Sequence, residues 1–290
     1  MVSREYEDLL KKWNLELEAM IREWEKRWEN LGIPEKQLRS TFLAVDKLGL
    51  KYGWVSNWGY FTPAELNDLL KKWTDGKLSV EEQEQIISNH FVEFYSKNSF
   101  KNLDECITSW NQNPIFYGRM SIFRDCLFAL QNFTTSFNPS NLVVPVLISQ
   151  IDGIIGELLK REGFVFCKNS MKWINPDKTT EGNLEKSFGS MIKNKRTRYG
   201  RYYIGNLIQM HSRYGVLVDG IFQRSIHGDD LKNPSFLSRH KILHGEDLKY
   251  GTIKNSIKLF LILEYLSEFS ISNLVEPDDS ALMEFRKIIF

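Results

Sequence analysis

The sequence predicts an all-α fold, with at most one small β-hairpin. Apolar residues recur at steps of three and four along most of the chain, which is the period of an amphipathic helix. Residues that commonly cap helices open several of these segments. Alternating apolar and polar runs, which are typical of half-buried strands, are nearly absent.

The N-terminal half contains a succession of predicted helices. The first covers residues 6–31 and ends at a glycine and a proline, and the second covers roughly 34–48. The segment 51–61 is rich in aromatic residues and glycine, which indicates a packed loop between helices. Further helices are expected at 100–111 and 115–132.

Two helix starts in this half carry clear capping signals. Thr62 precedes a proline and has a glutamate in the first turn that follows. Ser79 precedes two glutamates. Both residues are therefore predicted to be N-caps.

Residues 134–141, TTSFNPSN, form the best candidate linker because they are polar and contain Asn-Pro. A domain boundary is placed there, between a helical accessory or sensor module (1–139) and a second helical module (140–290). The second module is predicted to contain a short hairpin at 164–174 and helices at 142–162, 180–193, 202–226 and 252–269.

Charge and cysteine content bear on partners and location. The net charge is +1, but the first module carries about −3 and the second about +4, so an anionic partner is expected on the second. Cys106, Cys126 and Cys167 have no metal-ligand or disulfide pattern, which fits a reducing cytoplasm. The apolar stretch 141–159 is interrupted by Pro145 and by charged residues, so we expect a core helix and no membrane partner.

Several common catalytic motifs are missing from the sequence. It contains no phosphate-binding loop, no dinucleotide-binding glycine motif, no nucleophile elbow and no HExxH motif. Asp278 and Glu284 only faintly resemble a metal-dependent nuclease core, because the following lysine is misplaced and the surrounding strands are missing. We therefore expect neither a metal nor a cofactor.

The segment 238–245, SRHKILHG, holds two of the five histidines of the chain. His240 and His244 are four positions apart, so on a helix they share one face. Arg239 stands directly before the first histidine, and Gly245 is expected to end the helical turn. Cleavage of RNA by its own 2′-hydroxyl needs such groups, since imidazoles move protons near neutral pH and a guanidinium binds phosphate oxygens.

The motif Arg239-x4-His244 resembles the Rx4–6H signature of HEPN domains. The longer segment 236–266, FLSRHKILHGEDLKYGTIKNSIKLFLILEYL, is similar to the motif region of bacterial HEPN proteins, in which a Tyr-Gly turn and an apolar helix follow the histidine. Residues 145–159 resemble the first helix of the same domain. The likeness covers about 140–270 and does not reach the first module.

The resemblance implies an up-and-down bundle of four or five helices that dimerises, with the motifs of two copies facing each other across a cleft. Many HEPN proteins are metal-independent endoribonucleases that act as toxins, in phage defence or in RNA processing. By this resemblance, Arg239 would bind the scissile phosphate and His244 would be the general acid and base. His240 would orient the phosphate or a histidine of the second copy.

Residues outside the motif are also expected to contribute to the site. The basic segment KNKRTRYGRYY, 193–203, is predicted either to hold single-stranded RNA through phosphate contacts and ring stacking or to be a solvated loop. Its assigned residues are Lys195, Arg196, Arg198, Tyr199 and Arg201. Asp152 lies in an apolar helix and is expected to hold a motif side chain or to cap a buried backbone group. Asn255 is expected to face the same cleft.

Two interpretations of different class follow. In the first, the chain is a ribonuclease effector whose N-terminal module senses a trigger or binds a regulatory protein. In the second, the bundle is catalytically silent and binds RNA, a nucleotide or a protein partner. Nucleotide transfer to a partner is less well supported, because no loop is suited to cradle a triphosphate.

Overall fold

A computed structural model describes residues 48–55, 61–74, 78–132, 137–177, 181–199 and 237–272. Within these ranges the protein is mostly helical, as the sequence predicts, with seven α-helices and one small antiparallel sheet. The predicted helices at 6–31 and 202–226 lie outside the described residues, and so does most of the helix predicted at 34–48.

The α-helices are α1 (Pro63–Thr74), α2 (Val80–Ser109), α3 (Met120–Gln131), α4 (Ser140–Arg161), α5 (Leu184–Tyr199), α6 (Arg239–Leu243) and α7 (Ile253–Ser272). Two short 3₁₀ helices, Trp110–Gln112 and Tyr117–Arg119, connect α2 to α3. The strands are β1 (Val165–Cys167), β2 (Lys172–Ile174) and β3 (Glu181–Gly182).

Both predicted N-caps are confirmed. The Thr62 hydroxyl accepts a hydrogen bond from the Glu65 amide at 3.3 Å, and the Glu65 carboxylate accepts one from the Thr62 amide at 2.7 Å. Ser79 and Glu82 make the same reciprocal pair at the start of α2. The hydrogen bond from the Ser79 amide lowers the pKa of the Glu82 carboxyl, because it stabilises the charged form.

Helix α2 is interrupted near its middle. Asn98, Ser99 and Phe100 have positive φ angles of 52°, 55° and 63°, a region that L-residues rarely enter in succession. Two side chains satisfy backbone carbonyls freed by this break: Asn102 donates to the Phe94 carbonyl at 2.9 Å, and Gln131 donates to the Ser99 carbonyl at 3.0 Å. The break agrees with the sequence, which predicts a separate helix from residue 100.

The core is built around α7 and α4, which pack against each other. Residues 256–270 of α7 are buried with the exception of Glu268, so this helix is covered on every side. Helix α4 is the one described helix whose length and composition would suit a membrane span. Half of that apolar stretch is buried inside the protein.

One buried apolar cluster includes residues on both sides of the boundary proposed at 140. Ile107 and Phe123 precede that boundary, whereas Ile151 and Phe260 follow it, and all four are fully or almost fully buried in the same cluster. Helix α2 packs on α7, and α3 packs on α4. The described parts of the two predicted modules therefore share a core, and the boundary itself stays a prediction.

The predicted hairpin at 164–174 is present, and the sheet exceeds it by one strand. Strands β1 and β2 pair antiparallel, with Val165 opposite Ile174, and β3 adds to β2 with Gly182 opposite Trp173. Gly182 lets β3 approach the start of α5 closely, since a Cβ at that position would lie 3.0 Å from both the Lys186 Cβ and the Ser187 hydroxyl. The prediction of at most one hairpin was therefore wrong, because the two-residue strand β3 makes the sheet three-stranded.

Two ionisable side chains of α7 lie inside the core. The Lys258 ammonium donates to the Tyr52 carbonyl at 2.7 Å and lies 5.1 Å from the centre of the Trp54 ring. Burial lowers the pKa of Lys258 to about 7, because the charged form loses its hydration. The Glu264 carboxylate accepts a short hydrogen bond from the Trp110 indole. Both groups join α7 to segments from the N-terminal half.

Candidate functional site

The motif SRHKILHG forms one short helix with a cap at each end. The Ser238 hydroxyl accepts a hydrogen bond from the Lys241 amide at 3.4 Å, and α6 then runs from Arg239 to Leu243. Gly245 has φ +74° and ends the helix, as the sequence predicts. The amides of Gly245 and Glu246 donate to the carbonyls of Ile242 and Lys241, which is the Schellman pattern of helix ends.

The two histidines of the motif lie side by side on one face. The centroids of the His240 and His244 rings are 4.3 Å apart, with 53° between the ring planes. His244 is exposed and His240 is partly exposed. Ile242, between them in sequence, is buried and holds the helix against the core. The pair of imidazoles is thus fixed at the surface, where a polar ligand can reach it.

Arg239 is held by a carboxylate from another helix. Its Nε lies 3.0 Å from Oδ2 of Asp152, and its Nη1 donates to Oδ1 of Asp152 at 3.1 Å. This fork-to-fork geometry fixes the plane of the guanidinium as well as its position. The sequence left two roles open for Asp152, holding a motif side chain or capping a buried backbone group. Its contacts with Arg239 are those of the first role.

Glu246 is a further acidic residue close to the motif that the sequence reasoning did not single out. Its carboxylate Oε1 lies 4.0 Å from Nε2 of His240, and both side chains are partly in solvent. The sequence signal for Glu246 was its position, two residues after His244. The signal was weak, because a lone carboxylate on a polar loop is usually only solvated.

Asn255 contacts the turn that follows the motif. Its side-chain amide donates to the Tyr250 carbonyl at 2.8 Å, and its backbone amide donates to the Thr252 hydroxyl at 3.1 Å. Thr252 is thereby the N-cap of α7. Asn255 acts on the backbone next to the site, and its expected place in the cleft stays a prediction.

The basic segment is described only in part. Lys195, Arg196, Arg198 and Tyr199 belong to the last turns of α5, and their side chains lie outside what the structure describes. Arg201 lies outside the described residues altogether. Helix α5 packs on α4, the helix that carries Asp152. RNA binding by this segment therefore stays a prediction.

Exposed apolar side chains are found on both elements that form the motif site. Leu142 and Val146 lie on α4 between its start and Asp152, and they are 61% and 37% exposed. Leu243 and Leu248, within and after α6, are 45% and 80% exposed. Leu142 and Val146 are four positions apart and so share one face of α4.

The described side chains of the motif are suited to bind an anion and to transfer protons. A fixed guanidinium can bind an anionic oxygen, and two adjacent imidazoles can accept and donate protons. Among the described residues, no three histidine, cysteine or acidic side chains are grouped so that they could hold a metal ion.

Comparison of the chain with family models, with curated proteins and with solved structures found no match.

Proposed function

We propose that this chain is a metal-independent endoribonuclease that acts through Arg239, His240 and His244. The observation that carries the proposal is the exposed imidazole pair, 4.3 Å between ring centroids, on the same short helix as a guanidinium held by Asp152. The resemblance of residues 236–266 to HEPN motif regions points to the same chemistry. A cytoplasmic anti-phage defence or toxin effector is the biological role that fits it.

The proposed reaction needs proton transfer and charge stabilisation but no nucleophile from the protein. An imidazole accepts the proton of the RNA 2′-hydroxyl, and the 2′-oxygen forms a bond to phosphorus. The bond from phosphorus to the 5′-oxygen breaks, and a protonated imidazole gives its proton to that oxygen. The products are a 2′,3′-cyclic phosphate and a 5′-hydroxyl end. His244 is the general acid and base, and His240 orients the phosphate.

Arg239 has the role of stabilising charge that develops on the phosphate oxygens. Asp152 supports this role by keeping the guanidinium in one orientation, so that little reorganisation is needed when substrate binds. The basic segment 193–203 supplies contacts to neighbouring phosphates and bases. The N-terminal module receives a trigger or a regulatory protein.

Two copies of the chain complete the proposed site. The apolar side chains Leu142, Val146, Leu243 and Leu248 supply a contact face on the elements that carry the motif. In such a homodimer the two motifs lie within about 10 Å of each other, because both must reach one phosphate at hydrogen-bond distance.

The direct test is RNA cleavage by the purified protein in EDTA. Wild type is expected to release cyclic-phosphate ends from single-stranded RNA and to leave DNA of the same sequence intact, since DNA lacks the 2′-hydroxyl. Arg239→Ala and His244→Ala are expected to be inactive. Arg124→Ala, which alters an exposed arginine of α3 that is bonded to Asn111, should cleave like wild type. Equal activity of all four proteins would refute the assignment.

The dimer is tested by its molar mass in solution. Val146→Glu places a charge on the proposed contact face and is expected to yield folded monomers that no longer cleave RNA. Met171→Glu is the matched control, because Met171 is 70% exposed in the turn between β1 and β2, which follows the end of α4, whereas Leu142 and Val146 lie near its start. A monomeric wild type that cleaves RNA would exclude the shared site.

One observation favours the second interpretation, a silent module that binds RNA, a nucleotide or a protein partner. The carboxylate of Asp152 compensates the charge of Arg239, as it would in a purely structural ion pair. If so, Arg239→Ala lowers stability, and RNA stays intact with every variant and every trigger tried. Retained RNA binding by such an inactive protein would establish this alternative.

A further inference from the structure

The turn after the motif is fixed to the start of α4 by hydrogen bonds across the fold. The Tyr250 hydroxyl donates to the Asn141 carbonyl at 3.1 Å, and the Asn138 side chain donates to the Gly251 carbonyl at 2.6 Å. The Asn255 side chain holds the Tyr250 carbonyl from the other side. Three hydrogen bonds therefore determine where this turn lies.

Gly251 approaches α4 more closely than any other residue type could. A Cβ at this position would lie 1.7 Å from Oδ1 of Asn141, 2.7 Å from its Cγ and 3.3 Å from its Cα. The first two atoms belong to a side chain that can move, whereas the Cα cannot move without the helix. A methyl group at this position would therefore displace the Asn141 side chain and press on the backbone of α4.

The motif is thus attached to α4 at two places. One attachment joins Arg239 to Asp152, and the other joins the turn 250–251 to Asn141. The two positions on α4 are eleven residues apart, a rise of about 16 Å along the helix. The exposed histidines lie on the segment between these attachments.

The segment between the attachments contains hydrogen bonds of its own. The amides of Glu246 and Asp247 donate to the Lys241 carbonyl at 2.8 and 3.0 Å. The Lys249 amide donates to the Asp247 carboxylate at 2.8 Å, directly before Tyr250. A displacement of the turn would therefore be transmitted back to the end of α6, where His244 lies.

We infer that Asn138, Tyr250 and Gly251 are positioning residues, which set the His240–His244 pair relative to the Asp152–Arg239 pair through the connecting segment. The inference rests on the proposed function, because it assigns these residues to the same site. None of the three touches substrate in this scheme. Their effect is on the geometry of proton transfer, which is sensitive to displacements of about 1 Å.

Tyr250→Phe tests the inference with the loss of one oxygen atom. We expect kcat on RNA to fall about tenfold, with KM within about twofold, because binding groups are retained while the imidazoles are displaced. Asn138→Ala should act in the same direction. Tyr117→Phe is the matched control, since Tyr117 is 74% exposed and distant in sequence from the turn. Unchanged kcat in both Tyr250→Phe and Asn138→Ala would overturn the inference.

Gly251→Ala tests the close approach and permits a rescue. The new methyl group displaces the Asn141 side chain and the turn, so kcat should fall about tenfold or more. Adding Asn141→Ala removes the two nearest atoms while keeping the carbonyl that Tyr250 binds, and it should restore most of the activity. Gly118→Ala is the control, since a Cβ there meets nothing within 4 Å. Absence of rescue would contradict the steric part of the inference.

A second readout separates this inference from the proposed function. The ring-proton NMR signals of His240 and His244 report on the geometry of the imidazole pair whether or not RNA is cleaved. Tyr250→Phe is expected to shift these signals, whereas Tyr117→Phe should not. If wild type does not cleave RNA but the signals shift, the proposed function fails and the positioning role stands. If the signals are unchanged, the positioning role fails.

Discussion

Ionisable side chains occur in two contrasting regions of the same packed helices. At the surface, Arg239, His240 and His244 are joined to α4 through Asp152 and are reached by solvent. In the core, Lys258 and Glu264 of α7 are enclosed by aromatic rings and bond to Tyr52 and Trp110. Both regions place ionisable groups on helices that build the core, but only the first can meet a ligand.

The difference shows that burial decides what a charged group can do. A buried charge loses its hydration and must be satisfied by the protein, so its partners are structural. An exposed imidazole keeps contact with water and can exchange protons with it. The surface region is therefore expected to affect activity, and the core region is expected to affect stability.

The largest expected effect is the loss of catalysis in His244→Ala. Removing a general acid and base should lower kcat by about 10²- to 10⁴-fold. Because His244 is exposed, the melting temperature should change by only about 1 °C or less. His240→Asn is expected to cost less activity, since an amide can still donate a hydrogen bond to phosphate. A large fall in melting temperature for His244→Ala would remove the contrast between the two regions.

The second effect is a pH-dependent stability that comes from Lys258. Its pKa is about 7 in the folded protein, mainly through burial, with Lys254 lowering it further and Glu84 opposing this. The unfolded chain has the ordinary, higher lysine pKa and so binds more protons between these values. The free energy of unfolding should therefore rise with pH above 7, by about 1.4 kcal/mol per pH unit from this group.

Lys258→Met removes this titration and is the variant to compare with wild type. Urea unfolding at pH 7, 8, 9 and 10 should give a stability difference, wild type minus variant, that increases with pH. Lys101→Met is the control, because Lys101 is exposed on α2 and is not among the charged groups that shift the pKa of Lys258. A difference that does not vary with pH would show that Lys258 keeps an ordinary pKa in the folded state.

A third, smaller effect concerns Glu264. Glu264→Leu leaves the buried indole N–H of Trp110 without this acceptor, which should cost about 1–3 kcal/mol of unfolding free energy. Trp110→Phe in the same chain should recover part of that loss, because it removes the donor. Glu105→Leu, at an exposed acid of α2, should be nearly neutral. Denaturant unfolding of wild type, Glu264→Leu, Trp110→Phe and the double variant measures the coupling, and additive losses would mean that the two side chains act independently.

The smallest expected effect is on thermal stability, and it comes from the exposed Ser79–Glu82 pair, which has a purely structural role. Ser79→Ala removes the side-chain cap of α2 and should lower the melting temperature by about 2–4 °C. RNA cleavage at 25 °C should be unchanged, because α2 begins away from the motif in sequence and the cap touches no motif residue. A loss of activity without a loss of stability would link the N-terminal half to the site directly.

The sequence by itself determined the features that depend on neighbours a few positions away. Thr62 and Ser79 cap helices with a glutamate three residues later, Gly245 ends α6 in the left-handed conformation, and His240 meets His244 one turn away. Helical periodicity and capping hydrogen bonds span at most about five residues, so they can be recognised in one segment without knowledge of the rest.

Only the tertiary structure decided which distant groups meet. Asp152 pairs with Arg239 across 87 residues, and Lys258 bonds to the Tyr52 carbonyl across 206. The sequence marked Asp152 as a polar residue in an apolar helix but could not choose its partner, and it marked neither Lys258 nor the third strand. Helix packing brings such groups together, and the pairing then follows from the need to satisfy every charge that packing removes from water.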